Sequence, residues 1–327
     1  MIVEHTVDRR TLRSAIELAC HAPSLHNSQP WRWLIGPHTA HLYADLRRWL
    51  PATDSEGRDL VISCGAALHH LRVALAASGV TARVHRLPNP GEEYHIASLE
   101  LRTGIPADAD LSLASAITAR RTDRRLYGDW PVPTGFVENL VTRAAAQGAV
   151  LRPIGDGRSR DVVVAALAAA AAEQDATPGY RAETALWTGR SACADGIPAT
   201  NLLRDAAGTG DGTAREFTEG LIEQRWARAD GASLFVLGTA SDDRLSQLRA
   251  GEALSAVLLH ATELGLATCP LSQPLEVDAT RMILRDEVLG GTLSPQLVLR
   301  IGWAVDRTSL PATPRRPLDE TVELLPC

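Results

Sequence analysis

The sequence predicts an α+β fold made by internal duplication, with a long insertion in its second half. Three observations carry that prediction. Two helical segments, 58–80 and 244–266, each hold a central glycine, Gly65 and Gly251, followed by apolar residues at helical spacing. Each segment reaches a second glycine fourteen residues on, Gly79 and Gly265, the residue type that most readily closes a helix. Each also sits between matching strand-like runs: 42–44 and 233–239 before it, and the L-x-L-R runs 99–102 and 297–300 after it.

The elements follow in order. A helix is read at 11–20 and ended by Pro23, which cannot continue one. A polar loop leads to a strand that begins at Trp31. With the strand at 42–44, the helix at 58–80 and the strand at 99–102, this makes a first half, residues 1–105. The second half, 106–327, is entered through the arm 120–133, where Pro131 and Pro133 keep the chain extended. A helix near 136–146 answers the one at 11–20, but the stretch after it, QGAVLRPI, lacks the polar side chains of 22–34. Residues 162–172 are the longest apolar run, read as an alanine-rich helix and shorter than the roughly 18 residues of a membrane span. About 173–230 is an insertion with no partner in the first half, of the kind that forms lids. Its loop 208–213 matches G-x-G-x-x-G only superficially, because no buried strand precedes it. Residues 304–327 form a C-terminal extension.

Composition excludes whole classes of chemistry. All 33 residues counted as Lys+Arg are arginine, so Schiff-base, PLP-lysine, P-loop and kinase-type lysine mechanisms are ruled out. Cationic work falls to guanidinium forks. A net charge of −6 argues against a broad nucleic-acid-binding field. The N-terminal residues show no signal-peptide core, and five scattered cysteines without a CxxC pair suggest neither a disulfide framework nor a zinc ribbon. The expected setting is the cytoplasm, without a membrane partner.

Three motifs carry the chemistry. In 22–31, APSLHNSQPW, five hydrogen-bonding side chains fall within six residues. That set suits the edge of a planar heterocycle, or equally a capped turn anchored by Trp31 and Trp33. In 120–124, RRTDR, guanidiniums beside a hydroxyl suit a phosphate, or a solvated charge run. The same spelling at 9–13, RRTLR, lacks the proline arm and reads as a surface helix face. In 269–274, CPLSQP, two prolines would hold a loop extended, aiming backbone N–H groups at a ligand edge or merely turning the chain. Nine of ten histidines lie in 1–95. His38 with His41, and His69 with His70, lack a third ligand at metal spacing, and adjacent His69 and His70 should face different sides of their helix. No G-x-S-x-G elbow is present.

Together these motifs resemble the nitroreductase superfamily of FMN flavoproteins. Along nearly its whole length, from HAPSLHNSQPWRW through SCGAALHH, RRTDRR, WPVP, RAGEA, CPLSQPLE and PRRPLDETVE, the chain is similar to the Acg family of single-chain, nitroreductase-like proteins. Ordinary nitroreductases are homodimers with FMN at the interface; the Acg type resembles such a dimer fused into one chain with one site retained. The resemblance implies an internally duplicated nitroreductase fold, a monomer resembling a dimer, with room for a further homodimer. It implies that Arg120, Arg121 and Thr122 hold the FMN phosphate and ribityl oxygens, joined by Arg315 and Arg316. Arg124 is implied at the pyrimidine edge of the ring. Pro23, Ser24, Leu25 and Asn27 are implied on the ring from the other half, with Pro270, Leu271, Ser272 and Gln273 beside it. The implied activity is NAD(P)H-dependent reduction of a small-molecule acceptor, a nitro compound or quinone, with no protein acid or base named. Two departures bear on access: Ser272-Gln273 stands where many nitroreductases have Glu-Gly, and the long insertion implies a lid. The alternative expectation is therefore an FMN store or sensor whose lid blocks turnover.

Overall fold

The chain's computed structural model describes residues 7–190, 193–204, 215, 217, 220–223, 230–305 and 310–325. The loop 208–213 lies outside them. The first half runs α1 (Arg9–Ala19), β1 (Trp31–Ile35), β2 (Thr39–Ala44), α2 (Arg58–Ala77), β3 (Val80–Arg86) and β4 (His95–Thr103). A helix α3 (Asp108–Ala119) and a short strand β5 (Tyr127–Gly128) lead to α4 (Thr134–Ala145), β6 (Val150–Ile154), α5 (Arg158–Ala176) and α6 (Tyr180–Trp187). The chain continues through β7 (Ser233–Thr239), α7 (Arg244–Glu263), β8 (Ala267–Leu271), α8 (Asp278–Ile283) and β9 (Ser294–Ala304). It closes with α9 (Leu318–Thr321) and β10 (Val322–Leu324).

The duplication is visible in the strand order. One sheet is ordered β1-β2-β4-β3 and the other β6-β7-β9-β8, with every one of these pairs antiparallel. Even the irregularities match: the register shifts at Leu42/Tyr43 in β2–β4 and at Leu237/Gly238 in β7–β9. Each sheet gains one extra strand, β5 on β9 and β10 on β1. Because β10 runs parallel to β1, pairing Trp33 with Val322, the C-terminal extension crosses back into the first half's sheet.

The halves meet where α2 packs on α7. A methyl group on Gly65 would lie 2.2 Å from the Leu248 carbonyl oxygen, and one on Gly251 would lie 2.0 Å from that of Ile62. The two central glycines are thus the points where the helix backbones touch. The closing glycines have φ of +70° (Gly79) and +77° (Gly265), the left-handed conformation that ends a helix cheaply only for glycine. Trp31 and Trp33 are fully buried in the first core, and Leu237, Val257 and Leu299 in the second.

Four expectations need correction. His69 and His70 do not diverge: their Nδ1 atoms lie 2.7 and 2.8 Å from the same Ser255 hydroxyl, because α7 crosses α2 closely enough for one side chain to sit between two successive ones. Pro270 is not in a loop but inside β8, opposite Leu299. β8 pairs with β9 on one side and, among the described residues, has a single bridge, Thr122 to Thr268, on the other, so a residue without an N–H is tolerated there. The helix that reaches the length and mean hydropathy of a membrane span is α2 rather than 162–172, but it is a core helix, buried between the two halves. The first helix begins at Arg9 rather than Thr11; RRTLR is its first turn and, as expected, a surface face, with Arg9 and Arg10 exposed and Arg13 paired to Asp319.

Candidate functional site

A cavity opens between the halves, a concave, largely apolar space with a few converging polar groups, as small-molecule and cofactor sites are. Pro23, Ser24 and Leu25 line it from the first half; Thr122, Arg124, Pro270, Leu271, Ser272 and Gln273 line it from the second. Nine of the predicted site residues therefore converge on one space from three separate motifs.

The loop after α1 is wound into an unusual shape. His26, Asn27 and Gln29 have φ of +46°, +56° and +52°, three left-handed residues in one loop, none of them glycine. Such backbone persists only where surroundings fix it. Here the fixing groups are the polar side chains themselves. Asn27 Nδ2 donates to the carbonyls of Gly196 (2.8 Å) and Pro314 (3.1 Å), and its Oδ1 accepts from Arg315 (3.1 Å). Gln29 donates to Ala194 (2.9 Å) and accepts from the Arg316 N–H (2.9 Å). Asn27 thus faces the insertion and the C-terminal segment rather than the cavity, while Pro23 to His26 form the wall.

The arm is held beside β8 by the Asp123 N–H, which donates to the Thr268 carbonyl (2.9 Å), and by the Thr122–Thr268 bridge. This brings Arg120 and Arg121 near Arg315, with Arg124 on the far side of Arg120. Arg120 is buried, and no described atom accepts from its Nε; the Nε of Arg315 is orphaned in the same way. Burial, then Arg315, Arg121 and Arg124, push Arg120 down to about 9. Burial chiefly, with Arg121 adding to it, brings Arg315 to about 10. His21 falls to about 4 through burial and then Arg315, Arg120 and Arg121. None of the four arginines pairs with a carboxylate among the described residues. Cations drawn out of water without a carboxylate partner are costly, so the cluster suits an anion. Arg121 is nearer the surface and donates to the carbonyls of Thr118 (2.7 Å) and Arg120 (2.8 Å). Arg316 points elsewhere: its guanidinium donates to the carbonyls of Gln29 (3.2 Å) and Glu320 (2.9 Å).

Two described residues of the insertion, Arg215 and Phe217, also line the cavity. Arg215 donates to His26 Nε2 at 3.2 Å and makes a short ion pair with buried Glu276. Phe217 lies edge-on to His26 with centroids 5.9 Å apart, and the Arg124 guanidinium sits 5.5 Å above its ring.

No protein-family model matches the chain. A Mycobacterium tuberculosis (strain H37Rv) protein provisionally named as an NAD(P)H nitroreductase is 43% identical over 324 residues, 98% of this chain and 93% of the relative. Another from the same strain, provisionally named NAD(P)H nitroreductase acg, is 39% identical over 317 residues, 94% of each chain. The chain belongs to the Acg family of nitroreductase-like proteins. Among solved structures, the FMN-dependent nitroreductase NfnB from Mycobacterium smegmatis, in complex with NADPH, aligns with a TM-score of 0.43 and 18% identity over 66% of this chain and 99% of its own.

In this Acg-family chain, sequence reading missed several cavity residues: His26, Asp59, Ile62 and Ser63, then Leu254 and Leu297, then Arg215 and Phe217. Those on α2, α7 and β9 carry no local signal, because the surrounding pattern is spent on packing the halves. His26 lies inside the polar motif 22–31 and has no pattern that sets it apart from its neighbours, and Arg215 and Phe217 lie in a segment whose distinguishing feature is its length.

Proposed function

We propose that this Acg-family protein is an FMN-dependent oxidoreductase that passes electrons from NAD(P)H to a nitro compound, quinone or similar small acceptor. The observation that carries the reading is the guanidinium cluster without carboxylates among the described residues, Arg120 buried and Arg121, Arg124 and Arg315 half-buried, beside a largely apolar cavity. A phosphate dianion and a flat ring satisfy both features at once. Arg120, Thr122 and Arg315 would hold the phosphate, with Arg121 at its outer side. Arg124 would face the polar edge of the ring, and Pro23–Leu25 and Pro270–Gln273 would flank it. FMN, when bound, supplies the two-electron chemistry; the protein positions it, tunes its charge and excludes water. On this reading the halves 1–105 and 106–327 act as two fused subunits, the first giving the loop and the second the arm.

A second reading, FMN storage or sensing without turnover, is favoured by one observation: Arg215 and Phe217 of the insertion are themselves part of the cavity wall. Steady-state NAD(P)H oxidation by flavin-loaded protein with a panel of nitroaromatics and quinones separates the two. Acceptor-dependent oxidation supports the enzyme. Its absence in the intact protein, with recovery on shortening 173–230, supports the store.

A further inference from the structure

A second, smaller pocket adjoins the first, and Asp59, at the start of α2, lines both. The rim of the smaller pocket includes exposed Ser55, Glu56 and Asp278, so it opens to solvent. Its inner wall holds Asp54, Arg58, Asp59 and Glu276. The hydrogen bonds around these groups are unevenly shared. Both oxygens of Asp54 are taken by the N–H groups of Asp59 (3.1 Å) and Leu60 (2.8 Å). Glu276 is taken by Arg215, Gln174 and the Ser272 hydroxyl. Asp59 Oδ2 accepts from Arg58 (3.0 Å), while Oδ1 has no hydrogen-bond partner among the described residues. One carboxyl oxygen at the junction of the two spaces is therefore left over.

Resting on the oxidoreductase reading, we propose that Asp59 is the proton-transfer group of the main cavity, giving a proton to a two-electron acceptor and recovering it from solvent through the smaller pocket. The stoichiometry requires such a source. A quinone becomes a hydroquinone by gaining two electrons and two protons. One proton arrives with the electron pair as hydride from the reduced cofactor. The other goes to the second quinone oxygen, and here it leaves the Asp59 carboxyl as its O–H bond breaks. The carboxylate is then reprotonated by water from the outer pocket. The wall around Asp59 is otherwise poor in acids: Ile62, Leu254 and Leu297 are apolar, and Ser63 is engaged, donating to the Asp59 carbonyl (2.6 Å).

The charge environment keeps the proton available. The charged groups acting on Asp59 are Arg58 on its own helix, Asp54 before it, Glu276 from the turn after β8 and Arg215 from the insertion. Burial first, with Asp54 and Glu276 adding to it, outweighs Arg58 and Arg215 and pushes the carboxyl up to about 8. Asp59 is thus protonated at neutral pH and loses its proton as the pH rises through that value.

The test compares two acceptors with photoreduced, FMN-loaded protein. Benzoquinone needs two protons; ferricyanide takes single electrons and needs none. Asp59→Asn is expected to slow reoxidation by benzoquinone at least tenfold and to leave ferricyanide within twofold. Wild-type reoxidation by benzoquinone should fall above about pH 8, and this break should vanish in Asp59→Asn and return in Asp59→Glu. Infrared difference spectra of the same loaded protein should show a protonated carboxyl that titrates in that range and is missing from Asp59→Asn. Equal slowing with both acceptors, no slowing with either, or a carboxylate already ionised at pH 6 overturns the proposal. A wild-type protein reoxidised by neither acceptor removes the oxidoreductase reading and this inference with it. A responsive wild type with an unaltered Asp59→Asn variant removes the inference alone.

Discussion

At the residue scale, position rather than motif spelling decides which arginines matter. RRTLR at 9–13 and RRTDR at 120–124 are nearly the same string. The first lies exposed on the opening turn of α1, and the second is drawn under the C-terminal segment beside Arg315. A charge-assisted hydrogen bond contributes about 1.5–3 kcal/mol. Arg120→Ala with Arg121→Ala is therefore expected to weaken FMN binding roughly 100-fold or more, so that the flavin absorption band is lost on gel filtration. Arg9→Ala with Arg10→Ala should retain it. The same cluster sets a pH dependence. His21 is held near 4 by burial and three guanidiniums, well below the ordinary histidine value of about 6.5. The unfolded chain therefore binds more protons between those values. The stability contribution is complete above about pH 6.5 and is lost as the pH falls toward 4. Denaturant unfolding of flavin-free protein should show that decline, and His21→Asn should flatten it.

At the element scale, α2 and α7 are one solution used twice and pressed together at their glycines. Gly251→Ala would drive a methyl into the Ile62 carbonyl, with backbone on both sides and no flexible side chain to yield. Overpacking of this kind costs about 1–3 kcal/mol or more. Gly265→Ala meets open space and bears only the cost of its positive φ, about 1 kcal/mol. Urea midpoints should rank Gly251→Ala as clearly the worse of the two; equal losses would place the halves further apart than the crossing described. These helices were legible because a 3.6-residue period and paired glycines survive in a single sequence. Strands β3 and β8 were not, since Gly79 and Gly265 read only as helix ends and Pro270 read as a loop. β10 was illegible for another reason: its parallel partner β1 lies at the other end of the chain, and no local pattern encodes that pairing. The site divides the same way. Contiguous polar stretches such as 23–27 and 120–124 announced themselves, but Asp59, Leu254 and Leu297 are single residues on packed elements and meet only in the fold.

At the scale of the whole molecule, the two halves enclose a well-furnished cavity, and Arg215 and Phe217 of the insertion stand in its wall. How strongly the insertion covers the cavity can be measured at Phe217. This ring touches both halves of the site at once, Arg124 from the arm and His26 from the loop, and it carries no charge. Its removal therefore opens the cover without stranding a buried ion, which Arg215→Ala would do to Glu276. A cation–π contact contributes about 0.5–2 kcal/mol and an edge-to-face aromatic pair about 0.5–1.5 kcal/mol. Phe217→Ala is thus expected to release FMN roughly 10-fold faster, read as the return of flavin fluorescence after dilution, with little change in the urea midpoint. If opening of the cover limits turnover, acceptor-dependent NAD(P)H oxidation should rise in the same variant. If FMN release stays at the wild-type rate, the insertion does not govern access, and the store reading loses its structural basis.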